Sequence, residues 1–146
     1  MLTKKYLSVI GFLILVFVIL VLFTQGSIIG IGIIAITVQI FSVFLMIWAR
    51  ITFGMRSFHA TANPTEGGLV TTGPYRFLRH PIYASILYFI SAGTLSHISV
   101  LNMILEAAAI AGILVRIFTE ENLLIKRYPE YINYSSKTKR IIPFIF

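Results

Sequence analysis

The stretch Leu69-Val70-Thr71-Thr72-Gly73-Pro74-Tyr75-Arg76-Phe77-Leu78-Arg79-His80-Pro81-Ile82-Tyr83 lies between two strongly apolar halves of the chain. It holds two of the five prolines, one of the three histidines and two of the seven tyrosines. A connection between helices is usually about two to eight residues long and needs no such side chains. Because this stretch is rich in bulky hydrogen-bonding groups, it predicts a surface that binds something.

The composition is typical of a membrane protein. Of the 146 residues, 58% are hydrophobic and only 12% are charged, whereas about a quarter of a soluble domain is charged. We therefore expect residues 1–146 to form a single membrane domain. The net charge of +7 indicates topology and attraction to anionic lipid rather than a nucleic acid partner. Since the chain has three histidines and neither cysteine nor aspartate, no zinc or iron site is expected.

Four apolar segments are candidate transmembrane helices, because about 20 apolar residues cross the core of a bilayer. They cover approximately residues 6–23, 28–48, 82–98 and 100–118. The first exceeds the apolar core of a signal peptide and no Ala-x-Ala site follows it, so we expect a retained helix. The predicted fold class is therefore all-α, with a polar loop over residues 50–81 and an amphipathic segment over residues 119–146.

The distribution of charge predicts the orientation in the membrane. All twelve lysines and arginines lie before the first span, between the second and third, or at and beyond the end of the fourth. The connections at residues 24–27 and 96–99 carry none. Under the positive-inside rule both termini are cytoplasmic, and the loop and the C-terminal segment share that side.

Two short motifs stand where the third span begins and the fourth ends. Proline suits the first position of a helix, so His80-Pro81 predicts a helix start with His80 at its mouth. Glu120-Glu121 places two acids on the side where cations are favoured. The glutamates could pair with Arg116, one helical turn earlier, or hold a cationic or hydroxyl-bearing ligand. For His80-Pro81 and the preceding Tyr75-Arg76, the simpler alternative is a set of interfacial anchors, with tyrosine in the aromatic belt and arginine on lipid phosphate.

Glu106 lies inside the fourth span, and an ionisable residue at such depth is a functional hypothesis by default. The favoured alternative is a protonated carboxyl group hydrogen-bonded to Gln39 or Thr37 of the second span. A neutral buried acid avoids the free-energy cost of a buried charge.

The stretch from Leu69 to Tyr83 resembles the signature of the isoprenylcysteine carboxyl methyltransferase family. A second block resembles the same family: Arg116-x-x-x-Glu120-Glu121-x-x-Leu124, followed by Tyr128-Pro129-Glu130-Tyr131 and Ile142-Pro143. The paired glutamates also occur in the related phospholipid methyltransferases. Both blocks stand in the family's order with one helical hairpin between them.

The resemblance implies a membrane methyltransferase that uses S-adenosyl-L-methionine and releases S-adenosyl-L-homocysteine. The acceptor would be a membrane lipid or a lipidated small molecule, methylated on a carboxyl oxygen. The similarity to the smaller prokaryotic members implies an inner cell membrane with the site facing the cytoplasm. The implied cofactor contacts are Gly67, Gly68, Leu69, Val70, Tyr75, His80, Pro81, Ile82, Tyr83, Glu120 and Glu121.

Arg116 matches an arginine that the family associates with its substrate, which makes it a candidate catalytic and substrate-binding residue. A carboxylate acceptor is ionised at neutral pH and needs no general base, and an arginine can hold it by two hydrogen bonds. An amine or thiol acceptor needs a base, for which His80 or Glu120 is the candidate.

Two other functions are compatible with parts of this pattern. A small chain with four spans and one intramembrane glutamate also describes a proton-coupled multidrug exporter. The long loop over residues 50–81 and the position of Glu106 in the last span argue against it. The third possibility is a catalytically inactive family member that binds lipid.

Overall fold

The computed structural model describes residues 2–54 and 68–146 of the chain. These residues form five α-helices and a short 3-10 helix, Gly73–Arg76, which precedes the third α-helix. No β-strand is present in the described ranges, so the all-α class is confirmed for them. The helices are α1 (Leu2–Thr24), α2 (Ile33–Phe53), α3 (Pro81–Ser96), α4 (Val100–Arg127) and α5 (Tyr131–Lys137).

Three of the described helices, α1, α2 and α4, are long and apolar enough to cross a membrane. The 16 residues of α3 extend about 24 Å at the usual rise per residue, which is less than the roughly 30 Å of a bilayer core. The integral membrane character is thus supported. The count of four spans and the orientation of the termini stay predictions.

The second span starts later than predicted. The helix begins at Ile33 rather than near residue 28, because residues 25–32 form a loop in which Gly26 and Gly32 have φ angles of 69° and 88°. The Gln39 side chain pairs with two backbone groups of this loop. Its Nε2 donates to the Ile28 carbonyl at 2.8 Å, and its Oε1 accepts from the Gly30 amide at 3.0 Å. Apolar composition cannot distinguish such an internally bonded loop from a helix.

The fourth span extends beyond its predicted end near residue 118. The helix α4 continues without interruption to Arg127. Glu120 and Glu121 therefore lie within this helix, not in a separate segment that follows it. Of the predicted amphipathic C-terminal segment, the first part belongs to α4 and the helical remainder is α5.

The described helices pack as two pairs joined through one hairpin. The helix α1 packs along α4, α2 packs along α3, and α3 packs along α4. The shared core contains fully buried apolar side chains, among them Val18, Leu22, Ile90 and Ile113. Many large apolar side chains on the outer faces of α1 and α2 are exposed, as expected for helices that face lipid.

Two glycines bring α1 and α4 close together. A Cβ atom added to Gly11 would lie 2.7 Å from the Gly112 carbonyl oxygen and 3.0 Å from Cγ of Arg116. Small residues at such a crossing let helix backbones approach closely in a membrane. This contact places the N-terminal half of α1 directly against Arg116.

Glu106 is buried, but its predicted hydrogen-bond partners are wrong. Its carboxylate accepts hydrogen bonds from Ser91 and, at 3.0 Å, from Thr94, both on α3. Gln39 instead serves the loop at residues 25–32, and the Thr37 hydroxyl donates to the Ile33 carbonyl of its own helix. Glu106 thus links the two helices of the hairpin.

Candidate active site

The predicted helix start at His80-Pro81 is confirmed. Pro81 is the first residue of α3, and His80 is its N-cap. Proline is favoured there because an N–H group in the first turn of a helix has no partner within the helix, so the lack of this group in proline costs nothing. Ile82, also a predicted cofactor contact, is half-buried in the same turn. The motif therefore sits at the mouth of α3, beside the final turns of α4.

A segment near the C-terminus pairs with the motif by backbone hydrogen bonds. Lys139 donates to the Phe77 carbonyl at 3.2 Å, Arg79 donates to the Lys139 carbonyl at 2.6 Å, and His80 donates to the Arg140 carbonyl at 3.0 Å. These bonds form a parallel bridge between Leu78 and Lys139. The backbone that presents Arg79 and His80 is therefore fixed by residues about sixty positions further along the chain.

Glu121 is engaged by three side chains from two segments. Its carboxylate accepts from Arg79 Nε at 2.9 Å and from Arg140 Nη2 at 2.9 Å, and it lies 3.3 Å from His80 Nε2. Only 10% of its side chain is exposed. The arginine partners of Glu121 are thus Arg79 and Arg140.

Arg79 extends this network into α5 and the segment after it. Its Nη1 donates to the Ser135 carbonyl at 2.7 Å and to the Thr138 carbonyl, and its side chain is 8% exposed. Sequence reasoning included Arg79 in the motif but assigned no role to Arg79 or Arg140. Their role is to bind Glu121. The structure reveals it because the bridge between Leu78 and Lys139 brings together segments that lie far apart in the sequence.

Glu120 differs from its neighbour in being accessible. Its Oε2 accepts from the Tyr83 hydroxyl at 3.0 Å and lies 3.9 Å from His80 Nδ1. The rings of His80 and Tyr83 stack with centroids 5.6 Å apart. The Glu120 side chain is 31% exposed, so this carboxylate retains room for a ligand.

Arg116 is buried between α1 and α3. Its Nη1 donates to the Ser8 carbonyl at 2.9 Å, and its Nε donates to the Tyr83 hydroxyl at 3.1 Å. The guanidinium carbon lies 5.4 Å from the centroid of the Phe12 ring. The Tyr83 hydroxyl therefore accepts from Arg116 and donates to Glu120, which couples the predicted substrate residue to the predicted cofactor residue.

Tyr75 lies in the 3-10 helix next to this cluster and is buried. Its ring centroid is 5.5 Å from that of Phe53, and its carbonyl accepts from the Tyr134 hydroxyl at 2.6 Å. Burial raises the pKa of Tyr75, and the charge of Glu120 raises it further. The phenol is consequently neutral throughout the ordinary pH range.

The glycine-rich part of the motif is less closely joined to the cluster. Gly67 lies outside the described residues. Gly68 has a φ angle of 86°, and Leu69 and Val70 are half-buried. The structure gives these three residues no hydrogen bond to His80, Tyr83 or Glu120, so their predicted cofactor contacts stay predictions. Among the side chains described, no group of three or more His, Cys, Asp or Glu residues could hold a metal ion.

Comparison with known proteins identifies one matching family. The phospholipid methyltransferase family model matches residues 27–131. That range includes α2, α3, α4, the first sequence block from Leu69 and the second block as far as Tyr131. It excludes α1, Ile142-Pro143 and the segment that pairs with the motif.

Two curated proteins are similar to this chain over 76 residues, or 51% of its length. The nickel-cobalt-cadmium resistance protein NccN of Alcaligenes xylosoxydans xylosoxydans is 33% identical, and the cobalt-zinc-cadmium resistance protein CzcN of Cupriavidus metallidurans is 30% identical. The matched region spans 36% and 35% of their respective lengths. No solved structure matches the chain.

Proposed function

Because this chain belongs to the phospholipid methyltransferase family, we propose that it transfers the methyl group of S-adenosylmethionine to a lipidic acceptor at the site around Glu120. Membership also confirms the expected kinship with isoprenylcysteine carboxyl methyltransferase-like membrane enzymes. The observation that carries the proposal is the different environment of the two adjacent glutamates. Glu121 is buried among cations, whereas Glu120 is partly exposed beside Tyr83 and His80.

The residues around Glu120 fit the cofactor's chemistry. The molecule carries an ammonium group, ribose hydroxyls and a sulfonium cation. The carboxylate of Glu120 can accept hydrogen bonds from the first two. When bound, S-adenosylmethionine supplies the electrophilic methyl group itself.

The task of the chain's own residues is then to align the reactants and to exclude water. Arg116 holds the Tyr83 hydroxyl, and Tyr83 in turn orients the carboxylate of Glu120. The buried position of Arg116 between apolar helices suits an acceptor that reaches the site from the bilayer. A guanidinium can orient a carboxylate there by two parallel hydrogen bonds.

Carboxyl O-methylation is the preferred reaction because it requires no general base. The two ring nitrogens of His80 lie 3.9 Å from Glu120 and 3.3 Å from Glu121. This arrangement makes His80 a positioning residue that holds the glutamate pair. For an amine or thiol acceptor, the accessible carboxylate of Glu120 is the better candidate for a base.

We expect detergent-purified protein to bind S-adenosylhomocysteine in a calorimetric titration. It should then transfer a labelled methyl group to a lipidic acid in preference to a lipidic amine or thiol. A short water-soluble acid serves as the control for the hydrocarbon chain. Binding without transfer to any acceptor would indicate an inactive lipid-binding member, and the absence of both would contradict the proposal. The exporter alternative is not retained, because the matching family is one of methyltransferases.

The proposed cytoplasmic orientation of this site has its own test. The natural chain lacks cysteine, so single cysteines can be labelled without background. Ile98→Cys, in the exposed connection between α3 and α4, should react with an impermeant thiol reagent added outside intact cells. Ser136→Cys on α5 should react only after the membrane is opened, because the positive-inside rule places it with the cations. The opposite labelling pattern would reverse the orientation.

A further inference from the structure

The inward face of α5 contains one buried hydroxyl group without a partner. Tyr131 is 1% exposed, and its hydroxyl makes no hydrogen bond. The other groups on this face are paired. The Tyr134 hydroxyl donates to the Tyr75 carbonyl, and the Ser135 and Thr138 carbonyls accept from Arg79. Tyr131 is therefore the exception on a face that is otherwise bound to the motif.

The Tyr131 hydroxyl lies within electrostatic range of the glutamate pair. The charges of Glu121, Arg79 and Glu120 all act on it, and burial raises its pKa above the ordinary value for tyrosine. Its ring packs against that of Tyr134 with centroids 5.8 Å apart. The group is thus a neutral hydrogen-bond donor that is held in place at the edge of the candidate active site.

An unpaired buried hydroxyl is unfavourable for folding. Leaving such a group without a partner typically costs about 1–3 kcal/mol, and the large majority of buried polar side-chain atoms in native proteins are paired. A phenylalanine would fill the same space without that cost. Retention of the hydroxyl within electrostatic range of Glu120 and Glu121 therefore points to a partner that belongs to a ligand.

We propose that Tyr131 is a further cofactor contact, whose hydroxyl donates a hydrogen bond to an acceptor atom of the bound S-adenosyl group. This inference rests on the proposed function and extends the site to α5. The Tyr131 ring packs against Tyr134 before the ligand arrives. Because its hydroxyl is enclosed, neighbouring residues must move apart to admit the acceptor atom. The competing explanation is a structural role, in which the hydroxyl bonds to Glu121 or Arg79 through a water molecule.

Tyr131→Phe separates the two explanations, because it removes one oxygen atom and keeps the ring. For a cofactor contact, we expect the affinity for S-adenosylhomocysteine to fall about three- to tenfold, the value of a neutral hydrogen bond. The melting temperature of the unliganded protein should stay the same or rise. The increase in melting temperature on adding the ligand should shrink. Tyr134→Phe is the matched control, since it removes a hydroxyl that is already bonded within the protein and should lower the melting temperature without ligand.

Each result decides the question. Unchanged affinity in Tyr131→Phe would overturn the proposal, and so would a lower melting temperature without ligand, because it would show that the hydroxyl already stabilises the fold. Failure of the unmodified protein to bind S-adenosylhomocysteine would overturn the proposed function first and this inference with it. Normal binding by the unmodified protein with an unaffected Tyr131→Phe variant would remove Tyr131 alone.

Discussion

Glu121→Ala is expected to be the most destabilising substitution in the site, lowering the free energy of unfolding by about 3–5 kcal/mol. The substitution removes the carboxylate shared by Arg79, Arg140 and His80. Arg79, at 8% exposure, would then keep a buried charge without its anionic partner. Such a loss is a large share of the roughly 5–15 kcal/mol that separates folded from unfolded domains.

Thermal melting of the detergent-purified variants measures this effect. Glu130→Ala is the matched control, because Glu130 is exposed at the start of α5 and its removal should change stability by less than about 0.5 kcal/mol. Glu121→Gln should fall between the two, since the amide keeps one oxygen acceptor but loses the charge. If Glu121→Ala had the same melting temperature as the unmodified protein, the network around Glu121 would contribute little to stability.

Glu120→Ala is expected to leave the fold intact and to weaken S-adenosylhomocysteine binding about ten- to a hundredfold. A hydrogen bond to a charged group contributes roughly 1.5–3 kcal/mol, and each 1.4 kcal/mol corresponds to a factor of ten in affinity. The side chain is 31% exposed, so its removal leaves little buried polar surface unpaired.

Calorimetric titration of the two variants Glu120→Ala and Glu106→Gln gives the comparison. Glu106→Gln changes a buried acid that bonds only with Ser91 and Thr94 among the contacts described, and it should bind the ligand normally. Equal affinities for Glu120→Ala and the unmodified protein would remove Glu120 from the cofactor site. Loss of binding in Glu106→Gln with the fold intact would move the site deeper into the bundle.

Local rules predicted part of the arrangement around the candidate site. Proline at the first turn correctly predicted where α3 begins, and the hairpin of α3 and α4 brings Tyr83 to Glu120. These inferences depend on a helix-start preference and on the geometry of two antiparallel helices. Both can be read from spacing along the chain.

The partners within the site could not be predicted in the same way. No spacing rule points from Glu121 to Arg79 or Arg140, which lie 42 and 19 residues away. Likewise, apolar composition concealed the loop before α2. The partners of Glu121 and the loop before α2 both depend on tertiary contacts of single polar groups. Such contacts leave no periodic pattern in the sequence from which they could be predicted.

The backbone pairing of residues 139–140 with the motif has a consequence for biogenesis. While these residues are still inside the ribosome, the amides of Arg79 and His80 lack the carbonyls to which they donate in the folded protein. A nascent chain shorter than about 140 residues therefore lacks the pairing that orients Arg79 and His80. We expect the candidate site to be completed only in the last part of synthesis.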